Sequence, residues 1–311
     1  MGKSPYTSRG TVMKFTAIGM ALLCILGMRG AWAQDCYTVG TWNLEHFSAT
    51  SHSRGFPELH DTLPPRTPEQ LDLIAAAIRD QVGAKILVLN EINGRSGQAT
   101  SAELEDLVAR LGPSWRHEID KSGRDQRVAI IWNSDGVEEI ARLEIAFPED
   151  RIGTGNDAAD IFARDPLAVY FRFLKNGQER NDLLVVGLHL ASGQHLTEDH
   201  DAAMEKLRDK LRALRGHSPI LPQSEDDIFL AGDLNASPFD NNRESFFTTF
   251  NEGNWKLLAS GPDYPATRIN GSQIDYIIVT RENDTQKGLF GEEITRENPT
   301  VHHELGSGLI A

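Results

Sequence analysis

WRHEID (residues 115–120), RVAIIW (127–132), EEIARLEI (138–145) and LAVYFRF (167–173) succeed one another as short strand-like segments. Their reading decides the fold. Helical and strand patterns alternate on either side of this stretch. Within it, hairpin-like strands follow one another without the helical crossovers that a purely parallel sheet needs. The pattern therefore predicts two packed mixed sheets with helices outside, rather than one parallel sheet.

Upstream, Tyr37 to Leu44 reads as a first strand. Thr67-Pro68-Glu69-Gln70 reads as a helix start, with Thr as N-cap and Pro at the first helical position. Leu71, Ile74, Ala75, Ile78 and Val82 then keep the period of one buried helical face. KILVL (85–89) is a buried strand ended by Asn90-Glu91, and Leu104, Leu107, Val108 and Leu111 form the next helical stripe, closed by Gly112-Pro113. Downstream, LLVVGLHL (183–190), residues 228–230 and residues 274–279 read as strands, and 202–214 as a helix. Trp115, Trp132 and Trp255 are read as core residues.

The N-terminus has a different character. Lys3, Arg9 and Lys14 precede the apolar run FTAIGMALLCILG (15–27), and Ala31-Trp32-Ala33 is a small-x-small cleavage site before Gln34. This three-part pattern predicts a secretory signal peptide over 1–33 and a single domain over 34–311, exported to a periplasm or beyond. Cleavage would leave 27 basic against 45 acidic residues, a net charge of −18. Such a chain cannot hold polyanions by a general basic field, so bound cations and a few local arginines must do the attracting. Of the two cysteines only Cys36 would remain, which excludes an intramolecular disulfide. Nothing else is long and apolar enough to enter a membrane, and a monomer without stable membrane association is expected.

Several polar residues sit at or just beyond strand ends: Asn43, Glu91, His189, Asp233, Asn235, Asp275, and His302-His303 near the C-terminus. Together they meet the needs of phosphodiester hydrolysis, which are charge neutralisation at the phosphate, an activated water and help for the leaving oxygen. Glu91 and the amide oxygen of Asn43 are hard ligands suited to Mg²⁺ or Mn²⁺. Asp233 offers a base, and Asn235 an amide to orient water or phosphate. Asp275 with His302 or His303 makes a carboxylate–histidine pair, and His189 is a second imidazole. No H-E-x-x-H or Cys/His cluster supports a zinc hydrolase. Arg95 and Arg127 lie in segments next to these residues and are read as candidate phosphate clamps.

The series TWNLEHF (41–47), LVLNEI (87–92), RVAIIWN (127–133), FARDPLAVYF (162–171), VVGLHLAS (185–192), AGDLNASP (231–238) and IDYIIV (274–279) resembles the endonuclease/exonuclease/phosphatase superfamily. Within it, GNDAADIFARDPLAVYF (155–171) followed by GLHLAS (187–192) resembles the pancreatic-type deoxyribonucleases. The resemblance implies a four-layer αββα sandwich of two mixed β-sheets flanked by helices, with the site at one edge of the sheets. It implies Asn43 and Glu91 as metal-site residues, Arg164 as a phosphate ligand and His189 as a catalytic histidine. It further implies Asp233 as the acid/base carboxylate, Asn235 as the orienting amide, and Asp275 as partner of a C-terminal histidine, taken as His303. One departure stands out. The family closes with Ser-Asp-His, whereas this chain reads Val301-His302-His303, which puts His302 where a metal-binding Asp is expected.

The expected activity is thus a secreted, metal-dependent endonuclease acting on DNA, with RNA as an alternative substrate. Mg²⁺ or Mn²⁺ is the expected cofactor, and Ca²⁺ an alternative structural or co-activating ion. Two other readings remain open. A phosphodiesterase or phosphatase for lipid head groups or phosphoinositides would carry an apolar loop for membrane contact, but loops 48–66, 147–164 and 218–226 are polar. A non-catalytic binding module has only the altered C-terminal motif in its favour.

Overall fold

A computed structural model describes residues 20–26, 36–47, 52–53, 62–63, 66–93, 101–122, 126–144, 151–152, 159–162, 164–191, 197–215, 226–235, 255–258, 275–281 and 300–301. The strands are β1 (Met20–Leu26), β2 (Cys36–Phe47), β3 (His52–Ser53), β4 (Thr62–Leu63), β5 (Ile86–Ile92), β6 (Trp115–Ile119), β7 (Arg127–Asn133) and β8 (Val137–Glu144). They continue as β9 (Arg151–Ile152), β10 (Ala159–Asp160), β11 (Leu167–Lys175), β12 (Gln178–His189), β13 (Ile228–Asp233), β14 (Trp255–Leu258), β15 (Asp275–Thr280) and β16 (Thr300–Val301). The helices are α1 (Pro68–Ala76), α2 (Ala102–Leu111) and α3 (Thr197–Arg215).

Two six-stranded sheets carry the fold, in the orders β16-β1-β2-β5-β7-β6 and β14-β15-β13-β12-β11-β8. Each is mixed: β2 runs parallel to β5, and β12 parallel to β13, within otherwise antiparallel ladders. Strand alternation explains how they stack. Odd and even positions of a strand face opposite ways, and here both faces are apolar. Ile86 and Val88 of β5, Val128 and Ile130 of β7, Val185 of β12 and Phe229 of β13 form the layer between the sheets. Their neighbours Leu87, Leu89, Ala129 and Ile131 face outward beneath α1 and α2. Val186, Leu188 and Leu230 face outward beneath α3, with Leu207 and Leu211. The result is the expected four-layer αββα sandwich. Each fully buried aliphatic or Phe side chain contributes about 1.5–3 kcal/mol.

Local signals behave as read. Thr67 caps α1 in a reciprocal capping box with Gln70, with Pro68 in the first turn. The pattern through Val82 is kept by a π-helical turn over Ala77–Val82. Trp115, Trp132 and Trp255 are buried. Features beyond the sequence reading include the short pairs β3–β4 and β9–β10 within the expected loops 48–66 and 147–164. β14 is a strand at the edge of the second sheet. The apolar run of the expected leader supplies β1, paired through seven positions with β2. Among the described residues, no helix is long and apolar enough to cross a membrane.

Candidate active site

At one end of the sandwich the inner-facing positions turn from apolar to polar. Continuing the alternation from Val39 on β2, Val88 on β5, Val185 on β12, Phe229 on β13 and Ile277 on β15 leads to Asn43, Asn90, His189, Asp233 and Asp275. All five are buried. Register brings them together: Asn43 pairs with Asn90, His189 with Asp233, and Asp233 with Asp275.

Glu91 does not belong to this parity, yet it reaches the site. Its backbone is left-handed at φ 63°, and the β5–β7 register shifts between Leu89 and Ile92. A bulge of this kind re-aims a side chain. A glutamate held at positive φ also carries strain of about 1–3 kcal/mol, a state concentrated at functional sites. Asn235 (φ 47°) and Glu45 (φ 45°) share that conformation at the same end of the molecule.

The Asn43 amide links the carboxylates. Its Nδ2 donates to Glu91 Oε1 at 3.1 Å and to Asp233 Oδ2 at 3.0 Å. Sequence reading gives the Asn43 oxygen to a metal. The structure turns that oxygen to the Glu45 N–H at 2.9 Å and presents the NH₂ to the acids, the orientation that two neighbouring negative charges favour. His189 Nε2 lies 3.9 Å from Asp233 Oδ2. The other oxygen of Asp233 accepts the Asn235 N–H at 2.8 Å, closing an Asx turn. Asn235 Nδ2 donates to the Leu190 carbonyl at 2.8 Å, and Arg164 donates to the same carbonyl at 3.1 Å. Arg164 is also held by the Gln126 side-chain oxygen. One carbonyl thus brings the arginine beside the site.

Seven residues singled out in the sequence therefore converge: Asn43, Glu91, Arg164, His189, Asp233, Asn235 and Asp275. Arg127 is a correction. It is fully buried and donates to the Asp120 carbonyl at 3.3 Å. Burial holds its guanidinium pKa below the ordinary value, opposed by the charges of Asp120 and Glu103. As the first residue of β7 it shares the outward parity of Ala129 and Ile131, and it offers nothing to a phosphate. Arg95, His302 and His303 lie outside the described residues. β16, which ends one residue before His302, pairs with β1. Asn90 and Gln126 were missed. Asn90 had a signal, as the lone amide in the apolar strand ILVLNEI.

Ligand atoms of Glu91, His189 and Asp233 all lie within 4.8 Å of one another. Two carboxylate oxygens and an imidazole nitrogen, with the buried Asp275 alongside, could hold a divalent ion and balance its charge.

The model of the Endonuclease/Exonuclease/phosphatase family matches residues 40–289. The chain belongs to that family. Members of the endonuclease/exonuclease/phosphatase family are hydrolases of phosphoester bonds and are typically dependent on divalent metal. No curated protein matches the chain. Among solved structures it is similar to a D. rerio TDP2 humanized by 14 mutations, at 15% identity, 81% coverage of this chain, 84% of that chain and a TM-score of 0.49. It is similar to the human nocturnin catalytic domain with bound sulfate (15% identity, 68% and 74% coverage, TM-score 0.47). A third likeness is to a mannosyl-6-phosphatase of Bacteroides thetaiotaomicron (13% identity, 78% and 85% coverage, TM-score 0.47). Identities this low leave the substrate to be argued from the site itself.

Proposed function

We propose that the protein is an exported, divalent-metal-dependent phosphodiesterase that hydrolyses DNA by in-line attack of water. The observation that carries this reading is the convergence of Glu91, His189 and Asp233 from both sheets within 4.8 Å, next to Arg164. Asp233 takes the proton from water, and its carboxylate is kept in line by the Asn43 amide and the Asn235 N–H. Asn235 orients the water or the phosphate. Arg164 pairs with a non-bridging phosphate oxygen. His189 faces the same phosphate, and Asp275 supports the C-terminal histidine, His303. Glu91 would hold the metal, beside His189 and Asp233, and the metal would supply positive charge against the phosphate oxygens and acidify water. The strongly acidic chain supports cation dependence, since a polyanion approaches it only where local positive charge is supplied.

The test is digestion of supercoiled plasmid by the full chain, which keeps β1, and by the chain from Gln34 onward, with Mg²⁺, Mn²⁺, Ca²⁺ or excess chelator, beside Asp233→Asn. Expected are nicking that requires a divalent ion and a loss of about 10²–10⁴-fold or more in Asp233→Asn, with folding retained. Undiminished cleavage in Asp233→Asn removes that residue from the mechanism. No cleavage by a folded, metal-loaded protein discards DNA as substrate and turns the search to lipid and phosphoinositide phosphoesters.

A further inference from the structure

Asn90 stands immediately before Glu91 and is fully buried in the layer between the sheets. Its Nδ2 donates to the carbonyl of Leu188 at 2.7 Å, a bond that crosses from β5 to β12 and spans 98 positions of sequence. Leu188 is the residue before His189. The strut therefore ties the chain that carries Glu91 to the chain that carries His189, two of the three residues whose ligand atoms cluster.

The surroundings give that bond little freedom. Gly232 abuts Leu188 so closely that a β-carbon there would lie 1.9 Å from the Leu188 oxygen. The far side of His189 is gripped as well. The Leu190 N–H donates to the Asp233 carbonyl at 3.0 Å, and the Leu190 carbonyl accepts from Asn235 and Arg164. Backbone on both sides of His189 is thus fixed, from the first sheet at 188 and from the second sheet and Arg164 at 190.

Stability alone gives a poor account of an amide here. The Oδ1 of Asn90 is buried without a hydrogen-bond partner, a cost that a leucine of similar size would avoid. The neighbouring inner positions on β5, Ile86 and Val88, are apolar. An amide kept at such a cost points to placement. We propose that Asn90 is a positioning residue, a cross-sheet strut that sets the spacing between Glu91 and His189. The proposal rests on the reading of those two residues as metal and phosphate groups, and it adds the residue that couples them.

The experiment compares wild type with Asn90→Leu, which keeps volume and removes both the donor and the orphaned oxygen. Thermal melting establishes that the variant folds. Plasmid nicking with Mn²⁺ is then measured against pH, and the His189 imidazole is followed by NMR through a pH titration and through Mn²⁺ broadening. In the folded variant, kcat falls by about 10- to 100-fold, as for outer partners of metal ligands, with KM within about twofold. The pH profile moves, the His189 signal shifts before Mn²⁺ is added, and a higher Mn²⁺ concentration than in wild type is needed to broaden it. A folded Asn90→Leu with wild-type kcat, pH profile and His189 signals overturns the proposal. If Asn90→Leu does not fold, Asn90→Asp takes its place. That variant regains turnover as the pH falls and its carboxyl group acquires a proton to donate; loss without recovery on the acid side overturns the strut. If wild type cuts no DNA, the substrate reading fails separately, and the His189 signals still decide the role of Asn90.

Discussion

Gly187 faces the first sheet from β12, two residues before His189. A methyl group there would stand 2.6 Å from Val128 Cγ1 and 3.0 Å from Val88 Cγ1. Carbon atoms pack at about 3.5–4.0 Å, so the overlap with Val128 is roughly 0.9 Å. Both neighbours are fully buried valines with stiff χ1 angles, and neither has an easy rotation to offer. The sheets must part instead. Overpacking of this kind costs about 1–3 kcal/mol, and for a domain of this size each kcal/mol lowers Tm by about 2–4 °C. Gly187→Ala should therefore melt roughly 2–12 °C below wild type. Parting the sheets also stretches the 2.7 Å bond from Asn90 to Leu188, so turnover should fall with Tm. Calorimetry and plasmid nicking read the two effects. Val128→Ala removes the clashing carbon, and the double variant should recover part of the loss, a coupling that independent sites do not show. An unchanged Tm, or two losses that simply add, refutes the close approach of the sheets at this point.

Two further outcomes test the electrostatic reading. Arg127→Met should lower Tm and leave KM for DNA unchanged, because the guanidinium is buried against the Asp120 carbonyl; a raised KM in a fully stable variant would restore a role at the phosphate. His117 on β6 has its pKa lowered from 6.5 by burial, against the opposing charges of Glu105 and Glu118. The fold binds its proton less tightly than the unfolded chain does, so its contribution is present above pH 6.5 and is lost as pH falls through the lower folded value. Tm of wild type should therefore drop more steeply than Tm of His117→Gln between about pH 6.5 and 5, and parallel slopes would contradict that.

Two packed mixed sheets were legible because hairpin-like strands interrupt the alternation of helix and strand, and the four layers followed from the family resemblance. His189 and Asp233 could be anticipated together as polar residues that end apolar strands. Glu91 could be named from its motif, but not its route into the site. A left-handed glutamate and a register shift invert the face, and no glycine marks the place. Arg127 reads as a phosphate clamp because it follows a polar loop beside the site segments, whereas its parity buries it, toward Glu103 of α2. Asn90 shows in the sequence only as a lone amide beside a more conspicuous acid. β14 is four residues long in a polar neighbourhood, too short for a period to show. Arg164 was found through motif resemblance. The carbonyl of Leu190 that anchors it is backbone, which no side-chain pattern announces.

β1 carries a consequence of another kind. Its seven residues complete the ladder along β2 as far as Trp42, the neighbour of Asn43, and they come from the apolar centre of the expected leader. A leader read by an export channel has to be accessible to it, and is removed from the mature chain. The same segment cannot lie in the channel and close the sheet. On the proposed export route, folding and export compete for this segment, and a chain that finishes the sheet first hides its own address.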